Sequence, residues 1–447
     1  MLKSLLVSYW LIAAFLRKHL GIILLALPLG FIAFIAWGKL APLLPQPEPP
    51  RRIGRVGKFT LRTLPPDILN RLSQGLTALT PDQQATPSLA LKWDQSADGT
   101  TYTFYRNQRA RWSNDQPITS SQVAYSVANV SVTYPDPATI QFRLQEPYAP
   151  FPLVVSQPIF YSPPRARLPL TIGPYRIREL KLLNQFISKL SIESATNTYR
   201  YTFYPTEDAA LTGFKLGEVD ILEDINEPAK LARWPNVRLT PELHFDRYTA
   251  VFFNTKDGEL QDKTLRQALT YAIPQKPGDD TRSLSPFSPG SWAYNPQVKP
   301  YLTDLDTARE LLQKSQEESQ SDTLPTIELS TSLIYLPLAE AIKANWESLG
   351  ITTSVKVITH VPDQFQALLV THQIPPDPDQ YTLWHSSQPS NITGYNSPKA
   401  DKLLEDGRRE LDPVQRKAIY QDFQRFLVED TPAAFLFHPT TFTVSRK

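Results

Sequence analysis

The chain has 447 residues, which at roughly 100 to 200 residues per domain allows two or three domains. Its 46 Lys and Arg against 44 Asp and Glu leave a net charge of +2, too little for the basic surface that nucleic-acid binding needs. With 0 cysteines, disulfides, thiolate zinc sites, iron–sulfur clusters and cysteine nucleophiles are excluded. An apolar content of 41% predicts a packed globular protein.

An apolar segment near the N-terminus has the length of a bilayer span. Residues 21–37 read GIILLALPLGFIAFIAW, and 20 helical residues extend about 30 Å, the thickness of a hydrocarbon core. We predict a transmembrane helix over residues 20–38. The alternative is a cleaved signal peptide, whose apolar region is usually shorter.

The charges around this segment predict its orientation. Lys3, Arg17 and Lys18 precede the apolar residues, and the positive-inside rule keeps such residues in the cytoplasm. Residues 1–19 are therefore expected to be a cytoplasmic or membrane-surface segment, and the bulk of a single-pass protein to lie outside the cell membrane.

A proline-rich stretch follows the apolar segment. Residues 45–55 read PQPEPPRRIGR, with almost nothing to bury, which is typical of a semi-rigid extended spacer. We predict a linker over residues 39–58 and a folded part from residue 59 onward.

Periodicity predicts both strands and helices in the rest of the chain. Alternating apolar and polar residues predict strands at 100–105, 138–144, 197–204, 326–330 and 352–358. Helical spacing occurs at 265–273, 307–314, 336–349 and 413–428, the last with Asp412 as N-cap and Pro413 at the first helical position. The order strand, helix, strand over residues 326–358 indicates a βαβ unit and hence a parallel sheet.

The usual catalytic motifs are absent from the sequence. The six histidines are never clustered or spaced as H-x-x-x-H, and no G-x-S-x-G, Walker loop or G-x-G-x-x-G occurs. The DQSADG sequence at residues 94–99 suggests a hairpin turn rather than a calcium loop. Asp377 and Asp379, between prolines, are expected to be turn and cap acids rather than a glycosidase pair. The sequence therefore favours a binding function over a catalytic one.

Large aromatic side chains occur in three loop-like segments. Trp292 and Tyr294 lie in PGSWAYNP, Trp384 and His385 in TLWHSSQ, and Tyr395 in NITGYNSP. Aromatic rings among Ser, Asn, Gly and Pro are typical of ligand-binding loops, and the alternative is ordinary packing.

Several segments, in order, resemble the family 5 extracellular solute-binding proteins, the peptide- and nickel-type receptors of ABC importers. The most specific is WDQSADGTTYTFYRNQRARWSNDQPITSSQVAYSV, followed by TIGPYRI, LGEVDI, FFNTKDGELQDKTLRQALTYAI and the tail WHSSQPSNITGYNSPKADKLLE. The resemblance covers about residues 59–440.

The resemblance implies an α/β fold of the two-lobed periplasmic-binding-protein type (type II, large class), preceded by the transmembrane helix. We expect lobe 1 to comprise residues 59–248 and 378–447, and lobe 2 residues 249–377. The crossovers between lobes are then expected at residues 248–253 and 373–378.

The same resemblance implies the function. We expect a membrane-anchored, monomeric receptor, not an enzyme and without a cofactor or metal, that captures a peptide or other small solute between its lobes and delivers it to ABC permease subunits. A sensor or scaffold of the same fold remains an alternative, and an extracytoplasmic hydrolase a remote one.

The predicted site residues combine the aromatic loops with the expected cleft. Trp292, Trp384, His385 and Tyr395 are expected to form its walls, with Asn254 near the crossover. Trp384→Ala is expected to weaken ligand binding more than it lowers the melting temperature.

One position departs from the family pattern. Peptide-binding members commonly carry an acidic residue shortly before a P-D-P turn, where it pairs with the ligand's α-ammonium, and the aligned residue here is Ile374, with Asp377 as the nearest acid. We therefore expect a neutral, N-terminally blocked or otherwise different solute.

Overall fold

The computed structural model describes residues 49–275, 281–320 and 323–447, with residues 10, 18–21, 26, 28–29 and 34–35. Most of the predicted N-terminal segment and transmembrane helix, and residues 39–48 of the predicted linker, lie outside the described residues. Among the residues that are described, no helix is both long enough and apolar enough to cross a bilayer.

The secondary structure is named here in chain order. The strands are β1 (Arg51–Val56), β2 (Thr77–Leu79), β3 (Ala85–Pro87), β4 (Ala90–Gln95), β5 (Thr101–Arg106), β6 (Val130–Asp136), β7 (Thr139–Leu144), β8 (Arg176–Leu183), β9 (Phe186–Glu193), β10 (Thr198–Tyr204), β11 (Ile221–Ile225), β12 (Val237–Leu243), β13 (Arg247–Phe253), β14 (Thr281–Arg282), β15 (Thr326–Ser332), β16 (Thr352–Ile358), β17 (Ala367–Gln373), β18 (Ala433–His438) and β19 (Thr440–Arg446). The α-helices are α1 (Pro66–Leu72), α2 (Phe151–Val154), α3 (Glu207–Lys215), α4 (Ala229–Ala232), α5 (Lys263–Tyr271), α6 (Leu305–Ser319), α7 (Leu336–Ser348), α8 (Tyr381–Trp384), α9 (Pro398–Arg409) and α10 (Pro413–Asp430).

The first large sheet has the strand order β12-β19-β11-β1-β10-β9-β8 within the described residues. Strand β1 lies at its centre, parallel to both β10 and β11. The predicted linker over residues 39–58 is therefore wrong at its C-terminal end. The arginines of β1 are compatible with a central strand because Arg52 and Arg55 pair with acids on neighbouring segments, while Ile53 is buried in the core.

A smaller unit is built on the sheet β4-β5-β7-β6 and the hairpin β2-β3. The turn between β4 and β5 contains Gly99 in the left-handed region (φ 67°), and the carboxylate of Asp98 accepts a hydrogen bond from the backbone N–H of Thr100. The predicted hairpin turn at residues 94–99 is thus confirmed.

The second large sheet has the order β14-β18-β13-β17-β15-β16 within the described residues. Strands β15 and β16 are parallel and flank α7, which confirms the predicted βαβ unit. Strand β13 has apolar side chains on both faces, with Tyr248 and Phe252 in one core and Val251 and Phe253 in the other. Such a continuous apolar run is typical of a strand covered on both sides.

The chain passes twice between the two large sheets. Residues 244–246 connect β12 of the first sheet to β13 of the second, and Pro439 connects β18 back to β19. The two connections are adjacent, since the backbone N–H of His244 donates to the carbonyl of Pro439 over 3.0 Å.

These positions correct the predicted crossovers and lobe boundaries. Residues 248–253 lie within β13, and residues 373–378 lead from β17 into helices that pack on the same sheet. The physical reason is apolar packing, because Leu404 of α9 and Phe423 of α10 are buried in one core with Phe252. The second lobe therefore extends from β13 to β18, and only β19 returns to the first lobe.

Candidate functional site

A cavity of about 830 Å³ opens beside the two connections between the sheets. Both sheets contribute to its walls, and we call this cavity the cleft. Its lining includes Arg55, Phe59, Asp67, Arg71, Glu223, Asp224, Glu242 and Thr443 from the first lobe, His244 and Asp246 from the connection, and Arg247, Thr371 and Gln373 from the second lobe.

One arginine in the cleft joins acids from two neighbouring segments. Arg55, at the end of β1, lies 2.7 Å from Glu223 of β11 and 3.0 Å from Asp67 of α1. The pairing follows from the sheet register, because Arg55 and Glu223 are direct neighbours on parallel strands. We call Asp67, Arg55 and Glu223 the first triad.

A β-bulge brings the next acid into the same cavity. Consecutive residues of a regular strand point to opposite faces, yet Glu223 and Asp224 both line the cleft. The register of β11 shifts between Leu222 and Ile225, and Asp224 has a φ of 61°. Bulges of this kind redirect a side chain.

A second arginine links the two lobes. Nη2 of Arg247 on β13 donates to Asp224 of β11 over 3.1 Å, and its Nε lies 3.5 Å from Asp246 in the connection. We call Asp224, Arg247 and Asp246 the second triad. The neighbouring His244 imidazole, and then the Arg247 guanidinium, lower the pKa of Asp246, so this carboxylate is ionised at neutral pH.

His244 lies where the two connections meet. Its Nε2 is 2.6 Å from Oγ1 of Thr441, and its Nδ1 is 3.1 Å from Nη2 of Arg247. The imidazole therefore contacts the chain on both sides of the lobe boundary.

The third arginine of the cleft is held by aromatic residues. The guanidinium of Arg71 lies 4.5 Å from the ring centroid of Tyr199 and donates to the hydroxyl of Tyr201 over 3.2 Å. Both tyrosines belong to β10. Within the described residues, the two tyrosines hold this arginine and no carboxylate hydrogen-bonds to it.

A second cavity, of about 590 Å³, lies between the smaller unit and helices α8 and α9. Beside it, Arg408 forms an ion pair with Asp379 at 3.1 Å, and its guanidinium lies 4.9 Å from the ring of Tyr148 and 4.3 Å from that of Tyr381. Burial raises the pKa of Asp379, opposed by the charge of Arg408. These side chains are engaged with one another. We therefore regard this region as a contact between the lobes rather than as a ligand site.

Two of the predicted site residues are deeply buried in the second lobe. The indole of Trp384 is 0% exposed and donates to Oε1 of Gln380 over 3.1 Å. Tyr395 is 4% exposed, and its hydroxyl donates to Asp430 over 2.7 Å.

The other three predicted residues also contact protein groups. His385 lies 3.3 Å from Glu405 through Nε2, and its ring stacks on Tyr381. The ring of Trp292 lies 5.3 Å from the Arg416 guanidinium. Asn254 donates to the carbonyl of Phe365 over 3.0 Å. None of the five predicted residues is among the residues described as lining the cleft, and their role in ligand binding stays a prediction.

The acids near the P-D-P turn are structural. Asp377 accepts a hydrogen bond from the backbone N–H of Asp379, and Asp379 accepts one from that of Tyr381, which confirms the predicted turn role. The N-cap of α8 is Gln380, without a side-chain cap hydrogen bond, so neither acid caps this helix. Asp377 also forms a buried ion pair with Arg416. We call Asp377, Trp384, Tyr395 and Arg416 the buried cluster; Trp292 is half-buried beside Arg416.

The family follows from comparison with known sequences. Residues 84–394 match the sequence model of the bacterial extracellular solute-binding proteins, family 5 Middle. The chain belongs to this family. This confirms the resemblance that the sequence motifs indicate.

Individual relatives are distant but cover most of the chain. The oligopeptide-binding protein AppA of Bacillus subtilis (strain 168) is 24% identical over 61% of this chain and 57% of its own length. The dipeptide-binding protein of Escherichia coli (strain K12) is 23% identical over 81% of this chain and 83% of its own length. The crystal structure of NikZ from Campylobacter jejuni in complex with Ni(L-His) has a TM-score of 0.73 at 20% identity, over 90% of this chain and 95% of that chain. The predicted two-lobed α/β periplasmic-binding-protein fold is therefore confirmed.

Proposed function

We propose that the protein is the extracytoplasmic binding component of an ABC importer, and that it holds a peptide-like or other small solute in the cleft. The observation that carries this proposal is a cavity of about 830 Å³ whose walls come from both lobes. Cavities of this size between domains are usual for small-molecule sites. The names of the relatives, oligopeptide- and dipeptide-binding proteins, support the same solute class.

The two adjacent connections supply a mechanism for capture. Residues 244–246 and Pro439 are the places where the backbone changes sheet, so rotation of one lobe against the other requires changes of backbone angles mainly in these few residues. The contacts of Tyr148 with Asp379 and Arg408 would also have to rearrange. The ion pair between Arg247 and Asp224 joins the lobes beside this hinge. Closure would exclude water from the solute and strengthen its polar contacts.

The residues at the position expected to anchor a peptide, Ile374 and Asp377, favour a solute that does not place a free α-amino group at this position. Ile374 is 5% exposed and packs in the core of the second lobe, and Asp377 is already paired with Arg416. Ile374 and Asp377 therefore supply no free counter-charge to an ammonium group, and burying an unpaired ammonium group is costly.

A membrane anchor would keep the receptor close to a permease. We propose that residues 20–38 anchor the chain, as their apolar character suggests. N-terminal sequencing of the protein from native membranes tests this: an N-terminus that precedes residue 20 is expected, and a mature chain that begins after residue 38 would contradict the anchor.

The binding site is tested by filling the cleft. Gln373 lines the cleft and is exposed, so Gln373→Trp narrows the cavity without removing a buried contact. Ser354→Trp, at an exposed position of β16, is the matched control. Mass spectrometry of small molecules released from the full chain, purified in detergent, should find a solute in the wild type and the control but not in Gln373→Trp. Equal amounts in all three would contradict a site in the cleft.

A further inference from the structure

The cleft contains more negative than positive groups. Its carboxylates are Asp67, Glu223, Asp224, Glu242 and Asp246, and its guanidiniums are Arg55, Arg71 and Arg247. In a cavity with a lower effective dielectric than water, such an imbalance is felt strongly by a charged guest.

The positive groups are already engaged by the protein. Arg55 and Arg247 each pair with two carboxylates, so each triad carries a net negative charge. Arg71 is held over Tyr199. An incoming anion would therefore have to compete with existing partners.

The negative groups retain capacity to accept hydrogen bonds. In the described part of the chain, Glu242 forms no salt bridge, and its side chain is exposed at the cleft. Asp246 keeps 53% of its side chain exposed. A carboxylate offers about four lone-pair positions, and the contacts of the triads use only some of them.

An aromatic wall adds to the same preference. Phe59 also lines the cleft. The negative face of an aromatic ring attracts cations. This apolar part of the cleft wall is therefore also compatible with a cationic solute.

We infer that the solute of the cleft carries a net positive charge on amine or guanidinium groups. This inference rests on the proposed function, that the cleft is the solute site, and adds the chemical class of the solute. The cation donates hydrogen bonds to carboxylate lone pairs that the arginines do not occupy. An anionic solute is rejected because the surplus carboxylates repel it.

Calorimetric titration of the full chain in detergent, after removal of co-purified small molecules, tests the inference with matched probes. The peptides acetyl-Arg-Arg-amide, acetyl-Gln-Gln-amide and acetyl-Glu-Glu-amide differ in charge and lack free termini. Spermidine is a cation that is not a peptide, so the two cationic probes distinguish a basic peptide from a polyamine. At least one cationic probe should bind about tenfold or more tighter than the neutral peptide, and its affinity should fall as sodium chloride increases.

Two cleft variants should move the affinity of that cationic probe in opposite directions. Glu242→Gln removes a negative charge and should weaken binding about threefold, whereas Arg71→Gln removes a positive charge and should strengthen it by a similar factor. Glu310→Gln, at an exposed position of α6 outside the cleft, is the control and should leave the affinity unchanged. A general loss of structure would not strengthen binding, so the opposite signs separate charge recognition from damage to the fold.

The outcomes also separate this inference from the proposed function. If the neutral or anionic peptide binds as tightly as the cations, and Gln373→Trp abolishes that binding, the cleft is a solute site and the charge inference is wrong. If a cation binds equally well to wild type, Gln373→Trp and Glu242→Gln, it binds outside the cleft, which overturns the inference. If no probe binds, the charge inference is wrong. Whether the cleft is the solute site is then decided by the mass-spectrometric test alone.

Discussion

The cleft and the buried cluster differ in what surrounds their polar and aromatic groups. In the cleft, charged side chains at strand ends border a cavity of about 830 Å³ and stay partly exposed. In the buried cluster, Trp384 is 0% exposed, and Arg416 and Asp377 pair with each other. A group that is surrounded by protein contributes mainly to stability, whereas a partly exposed group in a cavity remains available to a solute.

The comparison predicts that changes in the buried cluster reduce stability. Trp384→Ala should lower the free energy of unfolding by about 3 to 5 kcal/mol, because a large buried side chain is replaced by a cavity. Urea denaturation of the full chain in detergent measures this. Trp234→Ala, at a position that is 39% exposed, should cost much less; equal losses in the two variants would contradict the core assignment of Trp384.

The ion pair of the buried cluster gives the next largest expected effect. Asp377→Asn removes the negative charge beside the buried Arg416 and should cost about 3 kcal/mol, since an unpaired buried charge is strongly destabilising. The control is Asp422→Asn on α10, whose partner Arg425 is exposed. If both variants lose the same small amount in urea denaturation, the pair is not buried in solution.

A smaller, pH-dependent effect is expected at the boundary between the lobes. His438, which immediately precedes the Pro439 connection, is buried, and burial lowers its pKa from the ordinary 6.5. As the pH falls below 6.5, the unfolded chain binds a proton at this residue before the folded chain does. The free energy of unfolding should therefore decrease as the pH is lowered from 6.5 to the lowered pKa of the folded state. This residue contributes at most about 1.4 kcal/mol per pH unit to that decrease.

Urea midpoints between neutral and mildly acidic pH test this expectation. His438→Phe should show a shallower decline than the wild type, and His360→Gln, at an exposed position, should follow the wild type. If His438→Phe and the wild type decline in parallel, His438 is not held neutral by the fold.

The smallest expected change in stability lies in the cleft. Glu242→Gln should alter the free energy of unfolding by less than about 0.5 kcal/mol, because its side chain is exposed and unpaired in the part of the chain that the structure describes. Thermal unfolding beside the wild type measures this. If Glu242→Gln lowers the free energy of unfolding as much as Asp377→Asn does, the cleft and the buried cluster do not differ as described.

The local structure of the chain could be predicted well from its sequence. The βαβ unit and helix α10 follow from periodicity, and Asp412 caps that helix by accepting hydrogen bonds from Val414 and Gln415. These features depend on residues that are close in sequence. Only the family resemblance, however, predicted the two lobes.

The site could not be predicted in the same way because its contacts join distant segments. Arg55 and Glu223 are 168 positions apart, and Arg55 lies at the end of a proline- and arginine-rich stretch that is typical of a linker. The bulge at Asp224 depends on pairing with β19 near the C-terminus. Two signals were available, the consecutive acids at 223 and 224 directly after the GEVDIL segment and the charged pair Asp246-Arg247 before an apolar strand.

The aromatic loops show a second limit of the sequence. Trp384 and Tyr395 occur among polar and turn-forming residues, a pattern that fits both a binding loop and a helix connection that folds onto a core. Burial decides between the two, and burial depends on how α9 and α10 pack on the second sheet. The lobe boundary predicted at residue 378 assigned these helices to the other lobe, whereas they pack on the second sheet.

Hydrogen–deuterium exchange tests most directly whether the cleft is where solute binds. The full chain in detergent is compared as purified, with its solute, and after the solute has been removed. Faster exchange without solute is expected in peptides that contain residues 55–71, 223–247 and 371–374, with little change in peptides that contain residues 384–395. Faster exchange confined to residues 384–395 would contradict the account and place the solute at the buried cluster.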